Sequence, residues 1–240
     1  MATNPVFNES AFRRAQGSAS VGQQMTLQGT INKTFFLLLL CVVGAFLTWG
    51  SAQAAALITP CAIGALVVGL IISFKPQTAP FLAPVYAFAE GLLLGTISSA
   101  FNQQMPGIVM QAVSVTLLVF FTMLVLYRTG IIKPTRGLLI GILSATIGIS
   151  LFYVISLVLM LFGVNVSYFT SAAPWAIAVN VLICAVAAFN FIFDFHFIDQ
   201  MTSTYSAPKY MEWYAGFGLL VTLIWLYIEI LRLLGRTRNN

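Results

Sequence analysis

The chain has 240 residues, of which 60% are hydrophobic and only 7% charged, with a formal net charge of +5. Ordinary soluble domains carry roughly 25% charged residues, so a water-facing surface cannot be assembled from this composition. Nor does the basic surplus indicate a nucleic-acid partner, because the eleven Lys and Arg are scattered through short loops and never gathered on one element.

At about 20 apolar residues per crossing, the length accommodates roughly six to eight membrane helices and no separate catalytic domain. Residues 1–33 read as a polar arm, with Arg13 and Arg14 among Asn, Ser, Gly and Gln. That lead is too long for a secretory signal, and the run from Thr34 to Trp49 has no small-residue cleavage site, so a retained first anchor is expected. Apolar runs then fall at 34–51, 54–73, 81–101, 108–127, 137–162, 174–198 and 212–234. Each can cross a hydrocarbon core of about 30 Å, and backbone groups there must bond among themselves, so the runs read as seven helices. The alternation of barrel strands is missing. Lys75 and Pro76 end the second run, Met105 to Gly107 make a turn, and Lys133 and Pro134 precede the fifth. The expected organisation is an arm at 1–33, a membrane domain at 34–234 and a basic tail at 235–240.

Basic residues mark the cytoplasmic face. Arg13, Arg14, Lys33, Lys75, Arg128, Lys133, Arg136 and Lys209 share one side if the N-terminus is cytoplasmic, and the loops at 51–53, 102–107 and 163–173 hold no Lys or Arg. Seven crossings, however, put Arg232, Arg236 and Arg238 on the outer face, against the rule. Cys41, Cys61 and Cys184 each fall in an apolar run, where a thiol behaves as a small hydrophobe, so neither disulfides nor a thiolate metal site is expected. Small residues spaced by four, Gly91 with Gly95 and Gly137 with Gly141 and Ala145, predict close helix packing.

Six residues are acidic. Glu9 lies in the arm and Glu212 starts the last run, which leaves Glu90, Asp194 and Glu229 at membrane depth and Asp199 near the end of the sixth run. A charge at a helix centre costs about 2.5–3.5 kcal/mol on insertion scales, so each acid needs a partner, a wet cavity or a proton. Asp194 and Glu229 belong to consecutive runs, and the midpoint between them falls near Met211, so a helical hairpin turning there brings them together. Two touching carboxyls in a low dielectric cannot both ionise easily. Such a pair shares a proton, separates on losing it, and then offers hard oxygen ligands suited to Ca²⁺. Plainer readings exist for each residue. Arg232 is one helical turn after Glu229 and can form a local ion pair; Asn190, four residues before Asp194, can satisfy it by a hydrogen bond. Glu90, on a helix that also carries Tyr86, can make a buried bond to another helix, and the single histidine, His196, points away from Asp194 and suits interfacial packing. Nucleotide-binding, zinc-protease and Ser/His/Asp motifs are missing, so neither enzymatic chemistry nor a cofactor is expected.

Phe193-Asp194-Phe195 with Ile198, followed by Trp225-Leu226-Tyr227-Ile228-Glu229-Ile230 and Leu231-Arg232, resembles the paired closing motifs of the Bax inhibitor and YccA-like family. Glu90-Gly91-Leu92 resembles that family's third-helix motif. Met25-Thr26 with Gly29 to Thr34 resembles the start of the first helix in its bacterial branch, and the likeness extends from about Met25 to Leu234. The resemblance implies an all-α fold of seven transmembrane helices with the last helix central, wrapped by the other six. It also implies a pH-sensitive Ca²⁺ leak governed by a carboxylate pair at Asp194 and Glu229, with Glu standing where members commonly carry Asp. Some members hold an arginine in the second helix that latches onto the first acid; 54–73 contains none. The expected function is therefore a passive, proton-regulated Ca²⁺ leak across a bacterial inner membrane, with the lipid bilayer and the calcium ion as its partners. One alternative is a non-conducting regulator that binds a membrane protease or a stress or cell-death factor through the arm, where Phe7 and Phe12 stand among polar residues. Another is a proton-coupled transporter using Glu90 and the acid pair, although no inverted repeat is visible.

Overall fold

A computed structural model describes residues 24–51, 56 and 58–238. The arm residues up to 23, with Phe7, Glu9, Phe12, Arg13 and Arg14, and the tail residues 239–240 lie outside the described residues.

The first helix, α1 (Leu27–Thr48), begins well before the apolar run at 34. Thr26 caps it, its extended backbone turning the side-chain oxygen to accept from Gly29 N. Hydropathy marks where a helix meets lipid, whereas the cap marks where it starts, so the polar stretch to Lys33 is already helical. The chain continues through α2 (Ile58–Phe74), a 3₁₀ turn at Pro76–Thr78, α3 (Ala79–Gln104), α4 (Ile108–Arg128), α5 (Arg136–Leu161), a single turn α6 (Ser167–Thr170), α7 (Pro174–Ser203) and α8 (Met211–Arg238). Gly107, at φ 82°, takes the left-handed conformation that separates α3 from α4. Six helices are long and apolar enough to span a membrane, and α2, with 17 residues, is a shorter apolar one. The protein is thus an all-α multi-pass membrane protein of about seven spans. The described residues hold no strand, only an isolated bridge between Gln24 and Pro208. Large side chains such as Phe35, Phe81 and Phe162 are exposed, as befits lipid contact. Among the six long spans the last is the most enclosed, 61% buried over its apolar window against 6% for α5.

The chain divides into two compact units. The first comprises the described residues up to Pro106 with Asp194–Val221, and the second Gly107–Phe193 with the chain from Thr222 on. In the first unit α1 and α3 approach closely because glycine leaves room. A Cβ on Gly91 would enter the Cys41 carbonyl, and one on Gly95 the Ala45 carbonyl and the Thr48 hydroxyl. Thr48 Oγ1 then donates to Leu92 O at 2.9 Å, and Tyr86 meets Phe217 edge-on at 4.8 Å. In the second unit the same small-residue spacing on α5 forms no such seam. A Cβ on Gly137, Gly141 or Gly148 would meet nothing within 4 Å. Packing there centres on Tyr168, Ala176 and Ile183, with Phe152, Tyr153 and Trp225 against them.

Candidate functional site

In the first unit Glu212, which the sequence places merely at the start of a run, is held by a cluster of bonds. It is the second residue of α8, where a negative charge meets the positive end of the helix dipole, and it is 1% exposed. Its carboxylate accepts from Thr26 N and Thr26 Oγ1, both at 2.9 Å, and pairs with Lys33. Gly29 makes this possible, since a Cβ there would fall on the Glu212 carboxyl. Lys33 lies over the Trp213 ring at 5.4 Å, and Met25 N donates to Ala207 O at 2.7 Å. The start of α1 is thereby stitched to the loop before α8. Beside this clamp, but outside the spans, burial pushes the Tyr210 hydroxyl upward from its usual range, while a hydrogen bond with Gln77 works against it.

Glu90, half-buried, bonds the Tyr86 hydroxyl on its own helix one turn away. Asp194 is 2% exposed, and His196 is half-buried near Asp199. Asp199 is exposed, with its carbonyl accepting from Ser203 Oγ at 2.6 Å. The turn between the last two helices lies at 204–210, ahead of the expected centre at Met211. α7 extends nine residues past Asp194, and Glu229 lies eighteen past the start of α8. Asp194 belongs to the first unit and Glu229 to the second.

Around Glu229, which is 1% exposed, the second unit builds a polar network. Tyr153 OH donates to Oε1 at 2.6 Å, Asn180 Nδ2 to Oε2 at 2.9 Å, and Arg232 Nη1 to both oxygens at 3.0 Å. The local ion pair of the plainer reading is thus present. Arg232 Nη1 also donates to Tyr153 OH at 3.1 Å, and its guanidinium lies 5.7 Å from the Tyr153 ring and 5.5 Å from that of Phe169. One turn on, Arg236 donates to Ala176 O at 2.9 Å, to Asn180 Oδ1 at 3.2 Å and to Tyr168 O, and stacks over the Tyr168 ring at 4.3 Å. Asn180 thereby joins Glu229 to Arg236. Asn190 spends its amide hydrogens on Thr146 Oγ1 at 2.9 Å and Val186 O at 2.8 Å.

The tail arginines lose their force as topology markers. The rule counts charges in the loops flanking spans, and Arg236 is buried while Arg232 is tied to Glu229; only Arg238, exposed and donating to Gln111 at 2.9 Å, resembles such a flank. Sequence reasoning passed over Glu212, Lys33, Tyr153, Asn180 and Arg236 as site residues. Asn180 had a visible signal, an amide within an apolar run, and Arg236 had another, four residues after Arg232 on the same helix face. Among the described residues no three of His, Cys, Asp or Glu gather as a metal site.

A family model described as Bax inhibitor 1 like matches residues 4–239. None of the curated proteins compared with the chain matches it.

Proposed function

This chain belongs to the Bax inhibitor 1 like family, and from that premise we propose that it is a passive, pH-sensitive cation leak, carrying Ca²⁺ across a bacterial inner membrane with the N-terminus in the cytoplasm. The observation that carries the reading is the burial of two carboxylic acids on the final two helices, Asp194 at 2% and Glu229 at 1% exposure. Hydrocarbon tolerates a neutral carboxyl, but a carboxylate there requires water, a donor or a cation. Glu229 is ion-paired with Arg232. Proton sensing is assigned to Asp194 on its burial within a span, where a carboxyl is a functional group by default. Loss of its proton draws solvent and a cation to its level and opens the path, and the exposed carboxylate oxygens favour a hard divalent ion. Glu229, held by Tyr153, Asn180 and Arg232, anchors the helices of its own unit. Ca²⁺ here is the passing ion and not a resident cofactor, and the reading assigns the chain no enzymatic reaction.

The test is Ca²⁺ entry into proteoliposomes at a series of pH values. Wild-type flux should rise with pH, and Asp194→Asn should remove that dependence; a variant with wild-type pH dependence would exclude Asp194 as the sensor.

One observation favours a second reading, a regulator that binds another membrane protein. The bonds of Met25 to Ala207 and of Glu212 to Thr26 and Lys33 fix the point at which the N-terminal arm joins the membrane domain. Deleting residues 1–23 should abolish regulation yet leave flux intact if that reading is correct.

A further inference from the structure

We propose that Arg232 and Arg236, one turn apart at the end of α8, form a binding site for a phosphate-bearing anion. The inference is independent of the leak.

The first ground is charge. Among the described residues the network holds two guanidinium groups and one carboxylate, Glu229, and so one positive charge in excess. Arg236 is 6% exposed, and its acceptors among the described residues are two backbone carbonyls and an amide oxygen, all neutral. A cation taken out of water without an anion is costly, and the dipole at the end of α8 offsets only a fraction of a charge.

The second ground is donor geometry. Glu229 and Tyr153 occupy Nη1 of Arg232 alone. Among the described residues its Nε–H and Nη2 hydrogens have no acceptor, and that open edge is the fork that takes an oxyanion bidentately. Arg232 is also the more accessible of the two, with a side chain 24% exposed. Arg236 retains its Nε–H and one Nη2 hydrogen in the same condition. The hydroxyl of Tyr168, whose ring lies under Arg236, is buried with no hydrogen-bond partner, a further polar group that a bound anion would satisfy.

The third ground is setting. Arg236 bonds the carbonyl of Ala176, next to Trp175, which is 51% exposed, and Phe162 at the end of α5 is 81% exposed. Exposed aromatics at helix ends mark the bilayer interface, the depth at which lipid phosphates lie.

The experiment uses the full-length protein in detergent, with phosphatidylglycerol, phosphatidylcholine and inorganic phosphate as probes, read by thermal unfolding and by native mass spectrometry of retained lipid. Phosphatidylglycerol should raise the melting temperature and be retained in preference to phosphatidylcholine. Arg232→Gln should weaken that binding about tenfold or more, while Arg238→Gln leaves it unchanged. Arg232→Lys, which keeps the charge but loses the fork, should bind at an intermediate level and serves in place of the Gln variant if that one does not fold. Inorganic phosphate that stabilises as well as the lipid, and displaces it, would sustain the site and identify free phosphate as its ligand. The site is overturned if phosphatidylglycerol binds no better than phosphatidylcholine with phosphate inert, or if the folded Arg232 variants bind like wild type.

Discussion

Glu212 and Glu229 lie on the same helix, are each 1% exposed and are each ion-paired, yet they are built differently. Glu212 draws its partners from the start of α1, Thr26 and Lys33, far away in sequence, two of its contacts being to one threonine. Glu229 draws on α5, α7 and its own helix, bonding Arg232 directly and reaching a second arginine, Arg236, through Asn180. The first is a clamp with balanced charge, closed over a glycine; the second is the sole described anion in a network with surplus positive charge. Burial and pairing alone therefore do not define what an intramembrane acid does. The charge balance of its surroundings does.

The comparison can be broken most forcefully at Glu229. Replacing it by Leu leaves Arg232, the Tyr153 hydroxyl and the Asn180 amide without their anion and should cost ~3–5 kcal/mol of unfolding free energy, the usual loss when one partner of a buried pair is removed. Glu229→Leu combined with Arg232→Leu should recover a substantial part of that loss in the same denaturation assay; no recovery would mean that the charge account of the network is wrong. Lys33→Met should cost less, ~1–3 kcal/mol, because Lys33 is 18% exposed and Glu212 keeps both bonds from Thr26. A loss equal to that of Glu229→Leu would erase the distinction between clamp and network. Smallest should be Gly141→Ala, whose new methyl meets nothing within 4 Å and should change stability by less than ~0.5 kcal/mol. Gly91→Ala, by contrast, forces the Cys41 backbone aside and should lose ~1–3 kcal/mol.

The spans were legible because hydrocarbon imposes a composition on twenty residues at a time, and α4 from Ile108 and α7 from Pro174 begin where the apolar runs do. Helix starts were less legible where a cap sits in polar sequence, as at Thr26. The short α6 lay hidden in a loop because a single turn has no period to detect. In the site, Glu229 with Arg232 was readable from a spacing of three, since a helix brings such residues together regardless of fold. Glu212 with Lys33 was not, because their meeting depends on tertiary packing across 179 residues. The two glycine stripes teach the same lesson. Gly91 and Gly95 have the spacing that Gly137 and Gly141 have, but among the described residues only the former pair is closed by a partner helix. The turn between the last two helices, at 204–210, was placed only approximately by the midpoint at Met211, because sequence distance does not reveal how far each helix reaches before it ends.

The central claim is that a buried carboxyl on α7 gates a cation path by its proton, and the most direct measurement is Ca²⁺ uptake by reconstituted vesicles from pH 5 to 8, with Asp194→Asn beside the native protein. The account predicts low uptake by the native protein at the acidic end, rising as the carboxyl ionises, and a flat profile for the variant. Uptake in which the two proteins trace the same pH profile would contradict it.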